Sequence, residues 1–327
     1  MLCRVSLVIS LSAVSRVIET KQHSGSLIKD LFRPSRKTIT ALDDVSLEIG
    51  AGEKIGIIGH NGSGKSTLLK VICGVMATTT GQVQVMGFAP HAERKQLMRH
   101  TGVLFSQKSY LYPNMSLHDC LGLYAAARGL SNTEYTHSFA ELDRYLNISG
   151  FMAQQVRTLS FGQRMRGEMF CALIHRPRLV ILDEPTIGLD AETKLRFKTL
   201  FGHHGLMADK TLLLVSHEPD TLLNLTDRCL SLAHGRLAES FPTALLKNKT
   251  LIEYHIDCVN PPATCHLPWS DAARFTQGRQ GELEVSFNIG VDELTVQQCL
   301  AAIMAGNTVR SIKRSESILM PSTEAAR

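Results

Sequence analysis

The sequence predicts an α/β fold, a buried sheet covered by helices, on three observations. Residues 54–58 and 179–183 are short, almost uniformly apolar runs, which are typical of strands buried on both faces. A helical pattern follows the first run from Lys65 to Cys73, and Gly74 suits the left-handed residue that ends a helix. Strands and helices then alternate up to about residue 240, as expected for a sheet with helices packed on it.

The turn after the first strand has the pattern G-x-x-x-x-G-K-[ST]. Its residues are Gly59, His60, Asn61, Gly62, Ser63, Gly64, Lys65, Ser66 and Thr67. Glycines let backbone N–H groups turn inward around a phosphate, Lys65 supplies a cation for the β- and γ-phosphates, and the Ser66 hydroxyl is a Mg²⁺ ligand. A glycine-rich turn that binds nothing is the alternative, but the flanking strand and helix favour a P-loop NTPase. We interpret His60 as a surface residue rather than a catalyst.

Two further motifs narrow the class. The signature segment (159–163, Leu-Ser-Phe-Gly-Gln) stands before a helix-compatible stretch, and the second buried strand ends in Asp183 and Glu184. We expect Asp183 beside the Mg²⁺ that Ser66 also holds, and Glu184 where a carboxylate can polarise the attacking water. Asp-Glu-Pro after a strand is also ordinary turn chemistry, but the ordered combination with the phosphate loop favours hydrolysis.

From about residue 41 to residue 239, the order of these motifs resembles that of the ATP-binding cassette (ABC) ATPases. The family's motifs appear as the phosphate loop, Gln107, Ser160 to Gln163, Asp183-Glu184, Gly188-Leu189-Asp190 and His217. The resemblance implies that Gln107 joins Ser66 and Asp183 at Mg²⁺ and that His217 contacts the γ-phosphate. It also implies that Ser160, Gly162 and Gln163 contact the ATP of a second cassette, which is either an identical or a different chain.

The resemblance further implies the organisation of the chain and its partners. Residues 1–240 would form the nucleotide-binding domain, with a helical subdomain at about 112–158 that touches a separate polytopic membrane subunit. Residues 110–113 are candidates for that coupling surface, with ordinary packing as the alternative. After residue 240, alternating segments and one helical pattern predict a small α+β accessory module over 241–327.

The sequence departs from the family pattern in three places. Phe161 stands where the signature usually has glycine, and residues 24–37 resemble a basic insertion in the first hairpin. No aromatic residue stands where the family usually stacks a ring on adenine, so we expect Arg36 or Phe32 in that role.

Composition limits the remaining alternatives for the partners, metal sites and membrane segments of the chain. The chain has 327 residues, 44% hydrophobic content and a net charge of +5, which gives little support for nucleic acid as a partner and fits an anionic membrane surface. Its eight cysteines form no C-x-x-C pair, so we expect reduced thiols, and a metal cluster of His255, Cys258, Cys265 and His266 is disfavoured. Residues 5–14 are interpreted as the first strand rather than a signal peptide. No run reaches the roughly 20 apolar residues of a spanning helix, so the pore would be another polypeptide.

The finer resemblance favours a direction of transport. The signature segment with its following arginines, residues 183–190 and the carboxy-terminal module resemble type-two exporter cassettes. An importer ATPase is the first alternative, and a non-transport ABC protein acting on ribosomes or nucleic acid is the second. The expected location is peripheral, at the cytoplasmic face of the inner (plasma) membrane.

Overall fold

The computed structural model describes residues 7–22, 35–105, 109–202, 204–258, 273–277, 282–288, 297, 300 and 309–318. Contacts divide the chain into two compact units. The first is Met1–Ser216 with Asn224–Ser240, and the second is His217–Leu223 with Phe241–Arg327. Each unit is described by itself below.

The described residues before 243 form nine strands. They are β1 (Leu7–Gln22), β2 (Ser35–Gly50), β3 (Lys54–Ile58), β4 (Thr80–Val85), β5 (Thr101–Phe105), β6 (Leu179–Asp183), β7 (Thr211–Val215), β8 (Arg228–Ala233) and β9 (Arg236–Pro242). Six of them form a sheet in the order β5-β6-β7-β3-β8-β9, in which β5, β6, β7, β3 and β8 are parallel. The α/β prediction is confirmed, and the predominantly apolar β3 and β6 are buried along their whole length.

Parallel pairing decides where the chemistry lies. The carboxyl ends of β3 and β6 lie at the same edge of the sheet, separated only by β7. The phosphate loop leaves β3 at that edge, and Asp183 ends β6 there. This is the edge at which open α/β sheets bind their ligands.

A second sheet, ordered β2-β1-β4, is antiparallel. The paired strands β1 and β2, called the ribbon below, are 16 residues each, whereas β4 pairs only with the segment of β1 from Ile9 to Ser15. The rest of the ribbon therefore continues as two strands. Most of the basic segment expected at 24–37 lies outside the described residues.

Seven α-helices complete the described chain before residue 243. They are α1 (Lys65–Ile72), α2 (Arg94–Leu97), α3 (Leu117–Ala127), α4 (Asn132–Leu146), α5 (Phe161–Leu173), α6 (Ala191–Phe201) and α7 (Pro219–Leu225). The helix predicted after the phosphate loop is confirmed as α1, with Gly74 at φ 66° after its end. In the part of the chain described, every helix is too short or too polar to cross a bilayer.

The core of the first unit lies between the ribbon, α1 and the parallel sheet. Ile9, Leu42, Ile57, Leu68 and Ile181 are fully buried members of one apolar cluster. The four cysteines whose surroundings are described are buried and form no disulfide; they are Cys73, Cys120, Cys171 and Cys229.

The second unit contains an antiparallel sheet in the order β11-β12-β10-β13. Its strands are β10 (Thr250–Cys258), β11 (Ala273–Gln277), β12 (Glu282–Asn288) and β13 (Val309–Ile318). β10, β12 and β13 lie where alternation predicted strands, and β11 was not anticipated. The predicted helix near 296–303 and the disfavoured metal cluster fall largely outside the described residues.

Candidate nucleotide-binding and catalytic site

The phosphate loop (59–67) needs glycine for two physical reasons. Gly59, Gly62 and Gly64 have φ values of 155°, 81° and 108°, which residues other than glycine rarely adopt. Space is also short, because a Cβ at Gly64 would lie 2.6 Å from the carbonyl oxygen of Ala41, and one at Gly59 would lie 2.5 Å from that of Leu232. The ribbon and β8 thus support the outer side of the loop.

The N-terminus of α1 is open to an anion. Gly64 is its N-cap, and among the described residues no side chain caps this end, so the first-turn N–H groups have no partner within the helix. Such an end carries a partial positive charge. A Cβ at Gly62 would meet only open space, and the buried Ser63 hydroxyl has no hydrogen-bond partner in the described part of the chain. These groups fit the phosphates of a nucleotide.

Lys65 lies inside the loop. Its Nζ donates to the carbonyl oxygens of Gly59, at 2.6 Å, and His60, at 3.1 Å. Burial lowers the pKa of Lys65, while the nearby carboxylates of Glu184 and Asp183 raise it. The ammonium is therefore held between the loop and two acidic side chains, where it can turn towards a bound phosphate.

Asp183 and Ser66 supply adjacent oxygen atoms. The Ser66 hydroxyl donates to Asp183 Oδ2 at 3.3 Å. Burial raises the pKa of Asp183, and the Ser66 hydrogen bond and Lys65 lower it. Mg²⁺ in nucleotide sites uses one or two protein oxygen ligands and fills its other positions with phosphate and water, so this pair fits the ion.

Glu184 follows β6 in an unusual backbone conformation. Its φ is 53°, and its N–H donates to the Val215 carbonyl oxygen of the neighbouring strand at 2.9 Å. A left-handed conformation costs a non-glycine residue about 1 kcal/mol or more, and it persists only where the surroundings impose it. β7 thus helps to fix the backbone that carries the half-buried Glu184 side chain.

The signature segment begins α5 with a capping box. Ser160 Oγ accepts from Gln163 N–H at 3.1 Å, and Gln163 Oε1 accepts from Ser160 N–H at 2.9 Å. Gly162 is buried, because a Cβ there would overlap the Asp190 carboxylate and lie 2.9 Å from Thr193 Oγ1. Each of these three predicted ATP contacts therefore has a local structural role in its own chain.

Phe161 is 45% exposed at the start of α5. The Arg164 guanidinium lies over its ring, 5.5 Å from the centroid. A Cβ at Gly188 would be 3.5 Å from the ring edge, so the ring reaches the turn before Asp190. The residue that replaces the usual glycine thus packs on the surface without disturbing the capping box.

The predicted site residues are only partly brought together. Lys65, Ser66, Asp183 and Glu184 converge, whereas Gln107 lies outside the described residues. His217 follows β7 and is exposed, and its role stays a prediction.

Glu168 was not anticipated from the sequence. It is a buried carboxylate on α5 that accepts from the Ser109 hydroxyl and, at 2.8 Å, from Tyr110 N–H. It therefore fixes the chain that follows Gln107 to the helix that the signature segment begins. An acidic residue on the apolar face of α5 was the sequence signal that could have identified Glu168 as a buried, hydrogen-bonded carboxylate.

Comparisons with known proteins agree on one protein family. The family described as ABC transporter matches residues 42–187. ABC transporter ATP-binding protein NatA of Bacillus subtilis is 31% identical over 206 residues, which are 63% of this chain and 83% of NatA. Methionine import ATP-binding protein MetN of Latilactobacillus sakei is 30% identical over 69% of this chain and 65% of its own. Two other relatives are longer, and this chain spans 40% and 36% of them.

Solved structures agree on the fold. An ATP-binding cassette in a dimeric, post-hydrolysis state bound to ADP and Pi matches 72% of this chain and 98% of its own, with a TM-score of 0.61 and 24% identity. The similarity to NatA agrees with the geometry of the site, in which the phosphate loop and the acidic end of β6 come together. These two observations assign the protein to a family. The chain belongs to the ATP-binding cassette family and is an ABC transporter ATPase.

Proposed function

We propose that this chain is the ATP-hydrolysing subunit of an ABC exporter, working with a second cassette and a separate polytopic membrane subunit. One observation carries the catalytic part: Lys65, Ser66, Asp183 and Glu184 meet beside the uncapped N-terminus of α1. These residues provide a cation, two hard oxygen ligands and a candidate base within one site.

Each group has a distinct task in ATP cleavage. The loop N–H groups from His60 to Thr67 and the Lys65 ammonium bind the phosphates. Ser66 and Asp183, with Gln107, would hold Mg²⁺, which when bound neutralises charge on the β- and γ-phosphates. Glu184 accepts a hydrogen bond from the attacking water and orients it, and His217 contacts the γ-phosphate.

The second cassette completes the proposed site. Ser160, Gly162 and Gln163 would contact the ATP held by the other cassette, identical or different. The structural relative solved as a dimer with ADP and Pi supports a two-cassette assembly. Ser160 is exposed at the start of α5, so it is accessible to a partner.

The transport part of the proposal concerns the partner subunits of the chain and its location in the cell. We assign residues 1–240 to the ATPase domain, about 112–158 to the subdomain that contacts the membrane subunit, and 241–327 to an accessory module. The chain would lie at the cytoplasmic face of the inner (plasma) membrane. Export is supported by the sequence around the signature segment and residues 183–190, whereas MetN, a relative named for import, supports the importer alternative.

Glu184→Gln tests the catalytic role. The amide keeps the shape of the side chain but is a much weaker base, so ATP turnover should fall about 100-fold or more. ATP affinity should stay near that of the wild type, and a nucleotide-bound dimer should accumulate. Glu192→Gln, at an exposed position of α6, is the matched control and should retain turnover. Phosphate release from Glu184→Gln at the wild-type rate would remove Glu184 from the mechanism.

Affinity capture from membranes solubilised in mild detergent tests the transport role. A polytopic membrane protein should co-purify, without an external binding protein. Co-purification of such a binding protein would support the importer alternative, and ribosomes or nucleic acid instead would contradict transport altogether.

A further inference from the structure

We infer that Glu168 is a positioning residue for ATP hydrolysis, which fixes the carboxyl end of β5 and the segment after it relative to the acidic end of β6. This inference rests on the proposed function, because it concerns turnover at the site that contains Asp183 and Glu184. Glu168 acts through Ser109 and Tyr110 rather than by touching the nucleotide.

The Glu168 carboxylate binds the segment after Gln107 with both of its oxygen atoms. Oε1 accepts from the Ser109 hydroxyl, and Oε2 accepts from Tyr110 N–H at 2.8 Å. Ser109 Oγ in turn accepts from Leu111 N–H at 3.1 Å. Glu168 is only 4% exposed, and burying a carboxylate is costly unless hydrogen bonds offset the lost hydration. The segment and α5 therefore depend on each other for these contacts.

Tyr110 joins this contact to the edge of the parallel sheet. β5 is the outermost of the described strands on its side of that sheet, and the Tyr110 hydroxyl donates to the carbonyl oxygen of Val103 within β5. Burial raises the pKa of Tyr110, so the hydroxyl stays protonated and remains a donor. The ring packs edge-on against Tyr124 of α3, with ring centroids 5.3 Å apart. One residue thus links α5, α3 and β5.

The carboxyl end of β5 lies beside the catalytic carboxylates. Phe105, the last residue of β5, pairs with Asp183, the last residue of β6. Gln107 stands two residues after Phe105 and two before Ser109, and two residues span at most about 7 Å. A misplacement of about 1 Å can lower an enzymatic rate roughly 100-fold. Loosening the contacts of Glu168 therefore acts on turnover as well as on stability.

A purely structural role is the alternative, and Asp143 offers a matched comparison. Asp143 is a carboxylate on α4 whose Oδ1 accepts from the N–H groups of Ile148, at 2.6 Å, and Ser149, at 3.0 Å. Like Glu168, it holds two polar groups of another segment against a helix. If Glu168 only stabilises the fold, both carboxylates should affect stability and neither should affect turnover.

Steady-state kinetics separate positioning from stability. kcat and KM for ATP would be measured on the full-length chain, and affinity for the non-hydrolysable analogue AMP-PNP would be measured by calorimetry. Glu168→Ala should lower kcat roughly tenfold and leave KM and analogue affinity within about twofold, because the phosphate loop is intact. Glu168→Gln should recover kcat to within about threefold, since its amide can accept from Tyr110 N–H and donate to Ser109 Oγ. Asp143→Ala should keep the kcat of the wild type.

Tyr110→Phe tests the second contact of the path. It removes the hydroxyl that bonds Val103 and keeps the ring that packs on Tyr124, so kcat should fall about threefold. The double variant Glu168→Ala/Tyr110→Phe should be about as slow as Glu168→Ala alone, because both changes break one path. Multiplied effects in the double variant would contradict a shared path. If Glu168→Ala did not fold, a wild-type kcat in Tyr110→Phe would still overturn the inference.

The remaining outcomes distinguish this inference from the proposed function. A wild-type kcat in Glu168→Ala, with Glu184→Gln inactive, would remove Glu168 alone. Equal losses of kcat in Glu168→Ala and Asp143→Ala would show a structural role, and a raised KM with unchanged kcat would show a role in nucleotide binding; both would overturn the inference. Wild-type turnover in Glu184→Gln would instead contradict the proposed function. Far-ultraviolet circular dichroism checks that each variant is folded.

Discussion

Two helix N-termini carry the nucleotide motifs, and they end in different ways. α1 begins after Gly64, and in the described residues no side chain caps it. α5 begins after Ser160, where Ser160 and Gln163 close a capping box. The first end keeps its N–H groups available for a ligand, while the second satisfies part of its own hydrogen bonding.

This difference distinguishes the N-terminus of α1, whose groups are available for ligand binding, from the N-terminus of α5, whose groups stabilise the folded chain. Around α1, the glycines at positive φ, the orphaned Ser63 hydroxyl and the enclosed Lys65 contribute little to folding alone and provide groups that fit phosphate. Around α5, Gly162 and Gln163 are each explained by a contact within the chain. The signature segment therefore has a local structural role beside any contact with a second cassette.

The largest expected effect on stability is at Gly162. In Gly162→Ala the new Cβ would overlap the Asp190 carboxylate, so we expect a loss near the upper end of about 1–3 kcal/mol in the free energy of unfolding. Urea unfolding measures it. Gly150→Ala, where a Cβ meets nothing within 4 Å, should be nearly neutral. A normal unfolding midpoint with lost ATPase activity would mean that Gly162 serves ligand contact alone.

A smaller effect is expected at Glu168, which ties α5 to the segment after Gln107. Glu168→Ala leaves the Tyr110 N–H without its acceptor and should lose about 2 kcal/mol of unfolding free energy. Burial raises the pKa of Glu168, in spite of the Ser109 and Tyr110 hydrogen bonds.

The raised pKa of Glu168 gives a pH test. The folded state binds this proton more tightly than the unfolded chain, so its stabilising contribution is complete below the ordinary carboxyl pKa of 4.5 and is lost as pH rises through the folded value. Glu168→Gln should remove that loss, so its stability relative to the wild type should rise with pH over this window. A difference that does not change with pH would show that Glu168 has an ordinary pKa.

The smallest expected effect on stability is the loss of an N-cap hydroxyl, which can be compared at two capping boxes. Ser160→Ala and Ser131→Ala each remove an N-cap hydroxyl, at the starts of α5 and α4, and each should lower the unfolding free energy by about 1 kcal/mol. Only Ser160→Ala should also reduce ATPase activity under conditions where both variants remain folded. Equal activities in the two variants would limit Ser160 to a capping role.

The sequence predicted those parts of the molecule that depend on local patterns. β3 and β6 were recognisable because all but one residue of each is apolar or glycine, and α1 because a glycine loop precedes it and Gly74 follows it. The ordered motifs also located Lys65, Ser66, Asp183 and Glu184, which the fold brings together.

Features that depend on distant pairing were not predicted. The approach of Leu42 of β2 to Gly64 depends on how the ribbon packs on the phosphate loop, and a leucine in a strand gives no signal of its own. The positive φ of Glu184 accompanies a hydrogen bond to Val215 of β7, which is distant in sequence. The Ser160–Gln163 capping box was readable as S-x-x-Q before a helix, but its local role was not separated from the ATP contact.

Hydrogen–deuterium exchange tests the contrast between the two helix ends most directly. The full-length Glu184→Gln chain would be compared with and without Mg²⁺ and ATP, at a concentration where light scattering reports single copies. ATP should slow exchange in peptides covering 62–67 and leave those covering 160–163 unchanged until the concentration allows dimers. Equal slowing at both segments in single copies, or no slowing at the phosphate loop, would contradict the account.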